Sequence, residues 1–373
     1  MRARDRSPPP GHGNDRNGIV TFASKLSRGR GRQRSAPSAA VGIIEIMSRF
    51  LVTGIAGFIG SNIARALVER GEHVRGVDNL ATGHRRNLEE IIHQIEFHEG
   101  DLKDPSIAAQ ACSGVEYVLH QAALPSVPRS VADPRSSHDN NITATLNVLL
   151  AARDAGVKRV VYAASSSAYG NTPTLPKEES MRPNPISPYA VAKLTGELYM
   201  QSFWRVYGLE TVSLRYFNVF GPRQDAKSQY SAVLAKFITS MLRGETPTIF
   251  GDGEQSRDFT YVDNVVQANL HACQAAASQA AGEVFNVATG DRITLNRVFD
   301  TLKELTGYDG PAHYGPERGG DIKHSLADIS RARAALGYEP TVDFKEGLRR
   351  TIAWYREQAR EYDGSSSRGA RAS

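Results

Sequence analysis

Tyr189 and Lys193 are the two residues whose types and spacing most directly indicate catalysis. On a helix, residues four apart lie on one face, so these two side chains can act together. A tyrosine with its ordinary pKa of about 10 is a poor base at neutral pH. A neighbouring ammonium and a nicotinamide cation favour the phenolate and would lower that pKa. The pair therefore predicts that Tyr189 accepts a proton in a dinucleotide-dependent oxidation or reduction.

A run of serines precedes this pair and could supply hydroxyl hydrogen bonds. Three consecutive serines, beginning at Ser165, follow a predicted strand at 157–163. Ligands of open parallel sheets bind at the carboxyl ends of the strands. We therefore predict Ser165, Ser166, Tyr189 and Lys193 as the catalytic residues.

A glycine-rich segment, Gly54-Ile55-Ala56-Gly57-Phe58-Ile59-Gly60, lies between a predicted strand and a predicted helix. Glycines there permit a tight turn and let the backbone approach a pyrophosphate, which the amino end of the helix stabilises. Asp78 ends the next predicted strand, where its carboxylate can accept both ribose hydroxyls and repel a 2′-phosphate. Asp101 and Leu102 close the third strand, where adenine contacts are expected. The segment therefore predicts an NAD site rather than an NADP site.

Alternating strand and helix patterns surround these residues and indicate a parallel sheet with crossover helices. The predicted strands are 49–53, 73–77, 96–98, 115–120, 157–163 and 210–215, and the predicted long helices are 58–70, 137–155 and 189–207. The predicted fold class is α/β, a Rossmann-type doubly wound parallel sheet with a smaller C-terminal substrate-binding lobe. Residues 47–221 are assigned to the NAD-binding domain and 222–362 mainly to the substrate-binding lobe, with 263–290 able to rejoin the sheet.

The positive charge of the chain is concentrated near its amino-terminal end. Residues 1–46 contain nine of the 45 Lys and Arg residues and three of the 40 Asp and Glu residues. The rest is nearly neutral, which argues against a nucleic-acid-binding surface. Because Met47 lies two residues before the first strand, residues 1–46 predict either a disordered extension or an upstream sequence translated from a start assigned too early. Residues 363–373, rich in Gly and Ser, predict a disordered tail.

Other classes of protein are disfavoured by composition. The sequence has no apolar run of the length that a membrane span needs, and its Arg-rich amino-terminal end does not resemble a secretory signal. Cys112 and Cys273 lie far apart without a CxxC spacing, which predicts two buried thiols in a reducing, cytoplasmic setting. The histidines have no ligand-like spacing, so no metal site is expected.

Several motifs together resemble the extended short-chain dehydrogenase/reductase family. They are G-x-x-G-x-x-G at 54–60, His120-Gln121-Ala122-Ala123, Ser187-Pro188-Tyr189 through Lys193, Arg215 through Gly221, and Gly251 through Phe259. The resemblance covers residues 49–360 and is strongest to the bacterial UDP-glucose/UDP-N-acetylglucosamine 4-epimerase group. It implies that Ser165 hydrogen-bonds the reacting sugar hydroxyl, that Tyr189 is the base and that Lys193 also holds the nicotinamide ribose. It further implies a homodimer that pairs through helices 137–155 and 189–207.

The motifs and the resemblance together give two sets of binding residues. The predicted NAD-binding residues are Gly54, Gly57, Phe58, Ile59, Gly60, Asp78, Asn79, Gly83, Asp101, Leu102, Gln121, Ala122, Ala123, Asn141, Tyr189, Lys193, Tyr216 and Val219. The predicted UDP-sugar-binding residues are Ser126, Ser165, Ser166, Tyr189, Asn218, Gln224, Ala232, Val233, Arg257, Arg318, Asp321 and Ser325. Two arginines among them, Arg257 and Arg318, are of the type that binds a diphosphate.

The stretch after Ser165 favours one reaction of this family. Related dehydratases and decarboxylases typically have an acidic residue just after the matching Ser or Thr, whereas residues 166–168 here are Ser, Ser and Ala. The resemblance therefore implies an NAD-dependent UDP-sugar 4-epimerase, in which a hydride leaves sugar C4 and returns to the other face. The alternatives are a UDP-glucuronate 4-epimerase, a dehydratase or decarboxylase, and a dinucleotide-binding protein without catalysis. The last usually lacks the catalytic Tyr or Lys.

Ser325 bears on the choice of sugar. In the resembling enzymes this position lines the pocket around the C2 substituent, where a bulky Tyr excludes N-acetyl groups and a small residue admits them. Ser325 is small, which favours UDP-N-acetylhexosamines. Pro125 stands where that group has glycine, so UDP-glucose and UDP-galactose stay open as substrates.

Overall fold

A seven-stranded sheet forms the centre of this computed structural model, which describes residues 48–226, 233–317 and 323–369. The strands are β1 (Arg49–Thr53), β2 (His73–Asp78), β3 (Glu96–Glu99), β4 (Tyr117–His120), β5 (Arg159–Ser165), β6 (Glu210–Tyr216), β7 (Val219–Phe220), β8 (Thr248–Phe250), β9 (Ser256–Arg257), β10 (Thr260–Tyr261), β11 (Glu283–Val287), β12 (Ile293–Thr294) and β13 (His313–Gly315). The α-helices are α1 (Phe58–Glu69), α2 (Pro105–Cys112), α3 (Val127–Ala132), α4 (Pro134–His138), α5 (Ala144–Asp154), α6 (Pro188–Tyr207), α7 (Val233–Leu242), α8 (Val262–Gln274), α9 (Ala277–Ala280), α10 (Leu295–Thr306), α11 (Ser330–Leu336) and α12 (Phe344–Gly369).

The strand order of the sheet is β11-β6-β5-β4-β1-β2-β3, and every neighbouring pair is parallel. The order reverses between β1 and β4, which opens a crevice at the carboxyl ends of these two strands. This topology confirms the predicted Rossmann-type doubly wound sheet. Strand β11 pairs with β6 and adds the seventh strand after the chain has passed through β7–β10.

Alternation along the strands directs side chains to two separate cores. In β1, Phe50 and Val52 pack with α1 and α8 residues on one face, whereas Leu51 packs with α2, α5 and α6 residues on the other. Both faces are therefore covered by helices, as parallel sheets require. A third core, which includes Phe237 and Phe299, joins α7, α10 and α12 in the smaller lobe.

Two elements differ from the sequence prediction. The sequence predicts one helix at 137–155, whereas the structure has three consecutive helical segments there. These are α4, then a single π-helical turn at Asp139–Thr143, then α5. Helix α12 continues to Gly369, although the sequence predicts a disordered tail from residue 363. Each residue added to an existing helix gains one hydrogen bond. The helix formed before residue 363 can therefore extend into the Gly- and Ser-rich segment that follows it. Within the described ranges, every helix falls short of the length and apolar character that a membrane crossing requires.

Candidate active site

Two glycines, Gly54 in the loop between β1 and α1 and Gly60 in the first turn of α1, have no room for a side chain. Gly54 has φ +65°, and a Cβ there would lie 2.8 Å from the backbone N of Ala122. A Cβ on Gly60 would lie 2.1 Å from the carbonyl oxygen of Gly54. Gly57, the residue before α1, has no side chain that could cap the helix. The first N–H groups of α1 are therefore available for an anion, because a helix leaves them without internal partners.

Asp78 ends β2 beside this loop and is almost fully buried. Its carboxylate accepts hydrogen bonds from the backbone N–H of Ala56 (2.9 Å) and of Leu80 (2.8 Å). Burial raises the pKa of Asp78, and these two hydrogen bonds oppose the rise. Each carboxylate oxygen has two acceptor positions, so Asp78 can still accept ribose hydroxyls while it holds the loop.

A cavity of about 750 Å³ extends from the glycine-rich loop to Tyr189. The predicted site residues that line it are Gly54, Gly57, Phe58, Ile59, Gly60, Asp78, Asn79, Asp101, Leu102, Gln121, Ala122, Ala123, Ser126, Tyr189, Tyr216 and Gln224. The predicted set is thus brought together along one crevice, at the reversal in strand order. Its size and lining fit an extended dinucleotide.

Other predicted cofactor residues lie behind this lining. Asn141 is buried and holds the loop after β4, accepting from the N–H of Leu124 at 2.8 Å and donating to its carbonyl oxygen at 3.2 Å. Gly83 packs against Ala56, where a Cβ would lie 2.8 Å from the carbonyl carbon. Val219 begins β7. The structure therefore gives Asn141 and Gly83 a positioning role towards the cavity walls.

Helix α6 carries both residues of the predicted reaction centre. Ser187 precedes the helix and its Oγ accepts from the N–H of Ala190 at 3.2 Å, while Pro188 fits the first helical position. Tyr189 is half-buried and lines the cavity. Lys193 is buried below it, donates from Nζ to the carbonyl oxygen of Ala163 at 2.8 Å, and lies against the cavity wall rather than in its lining.

Burial displaces the pKa values of these two side chains in opposite directions, each towards the neutral form of its group. Burial raises the pKa of Tyr189 to about 12, and a hydrogen bond with Ser165 opposes the rise. Burial lowers the pKa of Lys193 to about 7, and the charge of Glu197 opposes that fall. The sequence predicts that the Lys193 ammonium lowers the pKa of Tyr189. In this structure desolvation is the largest influence on the pKa of Tyr189, and Lys193 Nζ donates to a backbone carbonyl of β5.

Ser165 and Ser166 mark the end of β5. Ser165 is the last strand residue, and its Oγ lies 2.9 Å from the Oγ of Ser167. Ser166 begins the short 3-10 turn that follows. The Ser165 side chain lowers the pKa of Tyr189, which indicates that the two residues lie near each other.

Three predicted substrate residues meet in the smaller lobe, outside the cavity lining. Arg257 Nη1 donates to the carbonyl oxygens of Ser256 (3.0 Å) and Lys323 (3.1 Å). The N–H of Ser325 donates to the same Ser256 oxygen at 3.0 Å. Asn218 Nδ2 donates to the carbonyl oxygen of Asp258 at 3.0 Å, next to Arg257.

The remaining predicted substrate residues are dispersed. Gln224 donates to the carbonyl oxygen of Val219 at 3.0 Å and lines the cavity. Val233 begins α7. Ala232, Arg318 and Asp321 lie outside the described residues.

Some cavity residues were missed by sequence reasoning. Arg129, on α3, and Arg223 both line the cavity and could neutralise phosphate charge. Arg129 follows the α3 cap residue Ser126 by three positions. This position at the start of a helix is the sequence feature from which Arg129 could have been predicted. Asn269, which lies behind the cavity lining, had no such signal. From α8 its Oδ1 accepts from Gln121 at 3.0 Å, and its Nδ2 donates to the Tyr216 hydroxyl at 2.8 Å.

Comparisons with known proteins agree with this architecture. A sequence model of the NAD dependent epimerase/dehydratase family matches residues 50–288. The chain is 37% identical over 315 residues to a UDP-glucose 4-epimerase of Mycolicibacterium smegmatis, covering 83% of this chain and 99% of the relative. The crystal structure of a Thermotoga maritima UDP-glucose 4-epimerase with UDP-glucose is 42% identical, with a TM-score of 0.79, and covers 83% of this chain and 99% of that one. A UDP-N-acetylglucosamine 4-epimerase of Methanobrevibacter ruminantium in complex with UDP-N-acetylmuramic acid is 44% identical, with a TM-score of 0.79 and coverage of 84% and 99%.

Proposed function

The chain belongs to the NAD dependent epimerase/dehydratase family, and from that premise we propose that it is a UDP-sugar 4-epimerase with Tyr189 as its base. The observation that carries the proposal is the position of Tyr189 in the lining of the cavity, one helical turn from Lys193, which is buried and bonded to β5, the strand that ends at Ser165. Relatives named as UDP-sugar 4-epimerases, which this chain matches over most of its length, support the reaction type.

The cavity fits NAD on three structural grounds. The Gly54 and Gly60 positions leave backbone where a side chain would collide, so a pyrophosphate can approach. The uncapped start of α1 offers N–H groups to it. Asp78 retains acceptor capacity for ribose hydroxyls. When bound, NAD supplies the hydride acceptor and a positive charge at the nicotinamide.

The chain's own residues then transfer the proton of the sugar C4 hydroxyl. Ser165 and Tyr189 bind the sugar C4 hydroxyl, and Tyr189 accepts its proton as the C4–H bond breaks. The ammonium of Lys193 lies one helical turn away and stabilises the phenolate. After the sugar has turned over in the site, Tyr189 returns the proton to O4. Ser166 lies beside Ser165 and is proposed as a second hydroxyl contact.

Epimerisation is favoured over dehydration by the chemistry available next to Ser165. Elimination of water from a 4-keto sugar needs an acid and a base beyond the C4 hydroxyl. Residues Ser166, Ser167 and Ala168 carry no carboxyl group. A set limited to Ser165, Tyr189 and Lys193 can remove and return the O4 proton, and with NAD bound to accept and return the C4 hydride this would suffice for inversion at C4.

The proposed substrates are UDP-GlcNAc/UDP-GalNAc, UDP-Glc/UDP-Gal, or both pairs. The small side chain of Ser325 supports the N-acetylated pair. Two solved relatives of similar identity, one holding UDP-glucose and one named for UDP-N-acetylglucosamine, support both pairs. UDP-glucuronate is the alternative substrate.

One NMR assay tests the proposal. Purified protein is incubated separately with UDP-Glc, UDP-GlcNAc and UDP-GlcA, and the anomeric and H4 signals are followed. We expect the C4 epimer to form from at least one of them without added reductant. A 4-keto-6-deoxy product would identify a dehydratase, and three unchanged substrates would reject the proposed activity.

A homodimer and a cytoplasmic setting complete the proposal. Helix α6 exposes Val191, Leu198 and Val206, which lie within about 80° of one another around the helix, opposite to Tyr189 and Lys193. Such an exposed apolar stripe supports pairing with a second copy. The two cysteines are buried and unpaired, which supports a reducing compartment.

A further inference from the structure

Helix α6 carries a third buried polar residue on the face of the reaction centre. Glu197 follows Lys193 by four residues, as Lys193 follows Tyr189, so the three lie along one face. Glu197 is 2% exposed and Lys193 is 3% exposed. A carboxylate this deeply buried is costly unless it is paired, and the proposed proton transfer does not use it.

The partner of Glu197 is Arg215 near the end of β6. Two hydrogen bonds join them, from Nε to Oε1 at 2.9 Å and from Nη2 to Oε2 at 2.8 Å. In the sheet, Arg215 is aligned with Ala164, which lies directly before Ser165. The pair therefore ties the catalytic face of α6 to the strand ends on which Ser165 lies.

Fold stability alone explains this pair poorly. Replacing a buried ion pair by apolar residues of similar volume is often neutral or stabilising, because desolvation offsets the attraction. Arg215 also keeps Nη1 without a hydrogen-bond partner among the described residues. The guanidinium carbon lies 4.6 Å from the centre of the Tyr169 ring. The charge of Glu197 is therefore expected to act on another charged group close to Glu197.

Lys193 is the neighbouring cation that this charge affects. Burial pulls the pKa of Lys193 down to about 7, and Glu197 opposes that fall. From β4, His120 is uncharged, because burial lowers its pKa to about 3. From β5, Tyr162 faces Lys193 with its ring centre 4.9 Å from Nζ, and burial keeps its pKa well above the usual value. Neither of these groups offers Lys193 a negative charge.

We propose that Glu197 is a positioning residue of the reaction centre. Held by Arg215, its carboxylate supplies the counter-charge that keeps Lys193 an ammonium beneath Tyr189. The catalytic consequence rests on the proposed function, whereas the charge of Lys193 can be measured without any substrate.

The test removes both charges together. In Glu197→Gln with Arg215→Met, no unpaired charge stays buried, so the fold is retained. With ¹³C-labelled lysine and Lys193 assigned by a Lys193→Arg spectrum, we expect its NMR titration midpoint to fall by about 1–2 pH units. The alkaline limb of the pH profile of kcat moves by the same amount, so kcat at pH 7.5 falls by about 10- to 80-fold. Glu210→Gln with Arg159→Met is the matched control, because it removes another pair with a buried arginine, outside the site, and it leaves both readouts unchanged.

Each outcome decides the question. An unchanged Lys193 midpoint in the folded double variant, or a loss of kcat that is equal at every pH, would assign the pair to the fold alone. If the double variant does not fold, Glu197→Asp replaces it, because this change keeps the charge and withdraws it by one methylene. A smaller shift in the same direction then supports the inference, and an unmoved midpoint overturns it. A lowered midpoint in a protein that epimerises no UDP-sugar would reject the proposed function and uphold the inference.

Discussion

Tyr189 and Lys193 are neighbours whose pKa values are displaced in opposite directions by the same burial. A buried environment disfavours the charged form of each group, so the phenol holds its proton more tightly and the ammonium holds it less tightly. The charge of Glu197 opposes the fall in the pKa of Lys193, and a positive charge bound beside Tyr189 would oppose the rise in the pKa of the phenol.

Removing the Tyr189 hydroxyl is the simplest residue-scale prediction. Tyr189→Phe should lower kcat by about 10²–10⁴-fold, the usual contribution of one positioned acid–base group, without loss of NAD. Steady-state kinetics and the absorbance of NAD in the purified protein measure the two effects. Tyr207→Phe is the control, since Tyr207 is a half-exposed tyrosine at the end of the same helix. Equal activities of the two variants would remove Tyr189 from the mechanism.

Lys193 also predicts a pH dependence of stability. Its pKa falls from 10.5 in the unfolded chain to about 7 in the folded protein, so between these values the unfolded chain binds more protons. The free energy of unfolding contributed by Lys193 therefore rises as pH increases from about 7 to about 10. Relative to Lys193→Met, which cannot titrate, the wild type should gain stability over this range. Urea unfolding at pH 7, 8.5 and 10 measures it, and a difference that is constant with pH contradicts it.

At the scale of elements, the contact between the β1–α1 loop and the loop after β4 limits which residues can occupy position 54. Gly54 and Gly156 have nearly the same φ, +65° and +68°, but a Cβ on Gly156 would meet nothing within 4 Å. Gly156→Ala should therefore cost only the backbone strain, about 1 kcal/mol. Gly54→Ala adds a collision with Ala122 and should lose NAD as well. Thermal unfolding and NAD content compare them, and matching losses would show that strain alone matters.

The segment that contains Ser325 is fixed from two sides. The N–H of Ser325 donates to Ser256 at 3.0 Å, and Lys177 exchanges backbone hydrogen bonds with Leu326 (2.7 Å) and Asp328 (2.9 Å). The backbone at residue 325 therefore cannot withdraw to make room for a larger side chain.

Ser325→Tyr should accordingly abolish turnover of UDP-GlcNAc while turnover of UDP-glucose is retained. Ser325→Ala, which keeps the residue small, should leave both reactions in place. The ratio of kcat/KM for the two substrates is the measurement. An equal loss of both activities in Ser325→Tyr would show that residue 325 does not select the C2 substituent.

At the scale of the whole molecule, the exposed stripe on α6 predicts its assembly. Leu198 is 56% exposed, and Leu198→Lys should convert a homodimer into a monomer, because a charge at the centre of an apolar interface is poorly solvated. Light scattering after size exclusion measures the mass. Tyr314→Lys is the control, since Tyr314 is 53% exposed on β13. A wild type that runs as a monomer would remove the dimer from the proposal.

The sequence was sufficient where the signal is local. The spacing of Tyr189 and Lys193, the glycine-rich segment and the alternating strands predicted the sheet and the fold class, and together with the family resemblance they predicted about half of the cavity lining. It was not sufficient where partners are distant in the chain. Arg215 lies 18 residues from Glu197, and Asn269 lies 53 residues from Tyr216, so neither pairing follows a helix or strand period. The pKa of Tyr189 was also beyond the sequence, because burial is a property of the whole fold.

The position of β11 beside β6 has a consequence for how the chain is made. Residues 283–287 complete the sheet, yet a ribosome synthesises them only after β7 to β10 of the smaller lobe. Until then β6 is an unpaired edge that can join another chain. A nascent chain stalled at residue 221 should therefore aggregate or bind chaperones, whereas one stalled beyond α12 should resist protease. The two lobes are thus synthesised one after the other, but the first lobe becomes stable only when the second has been made.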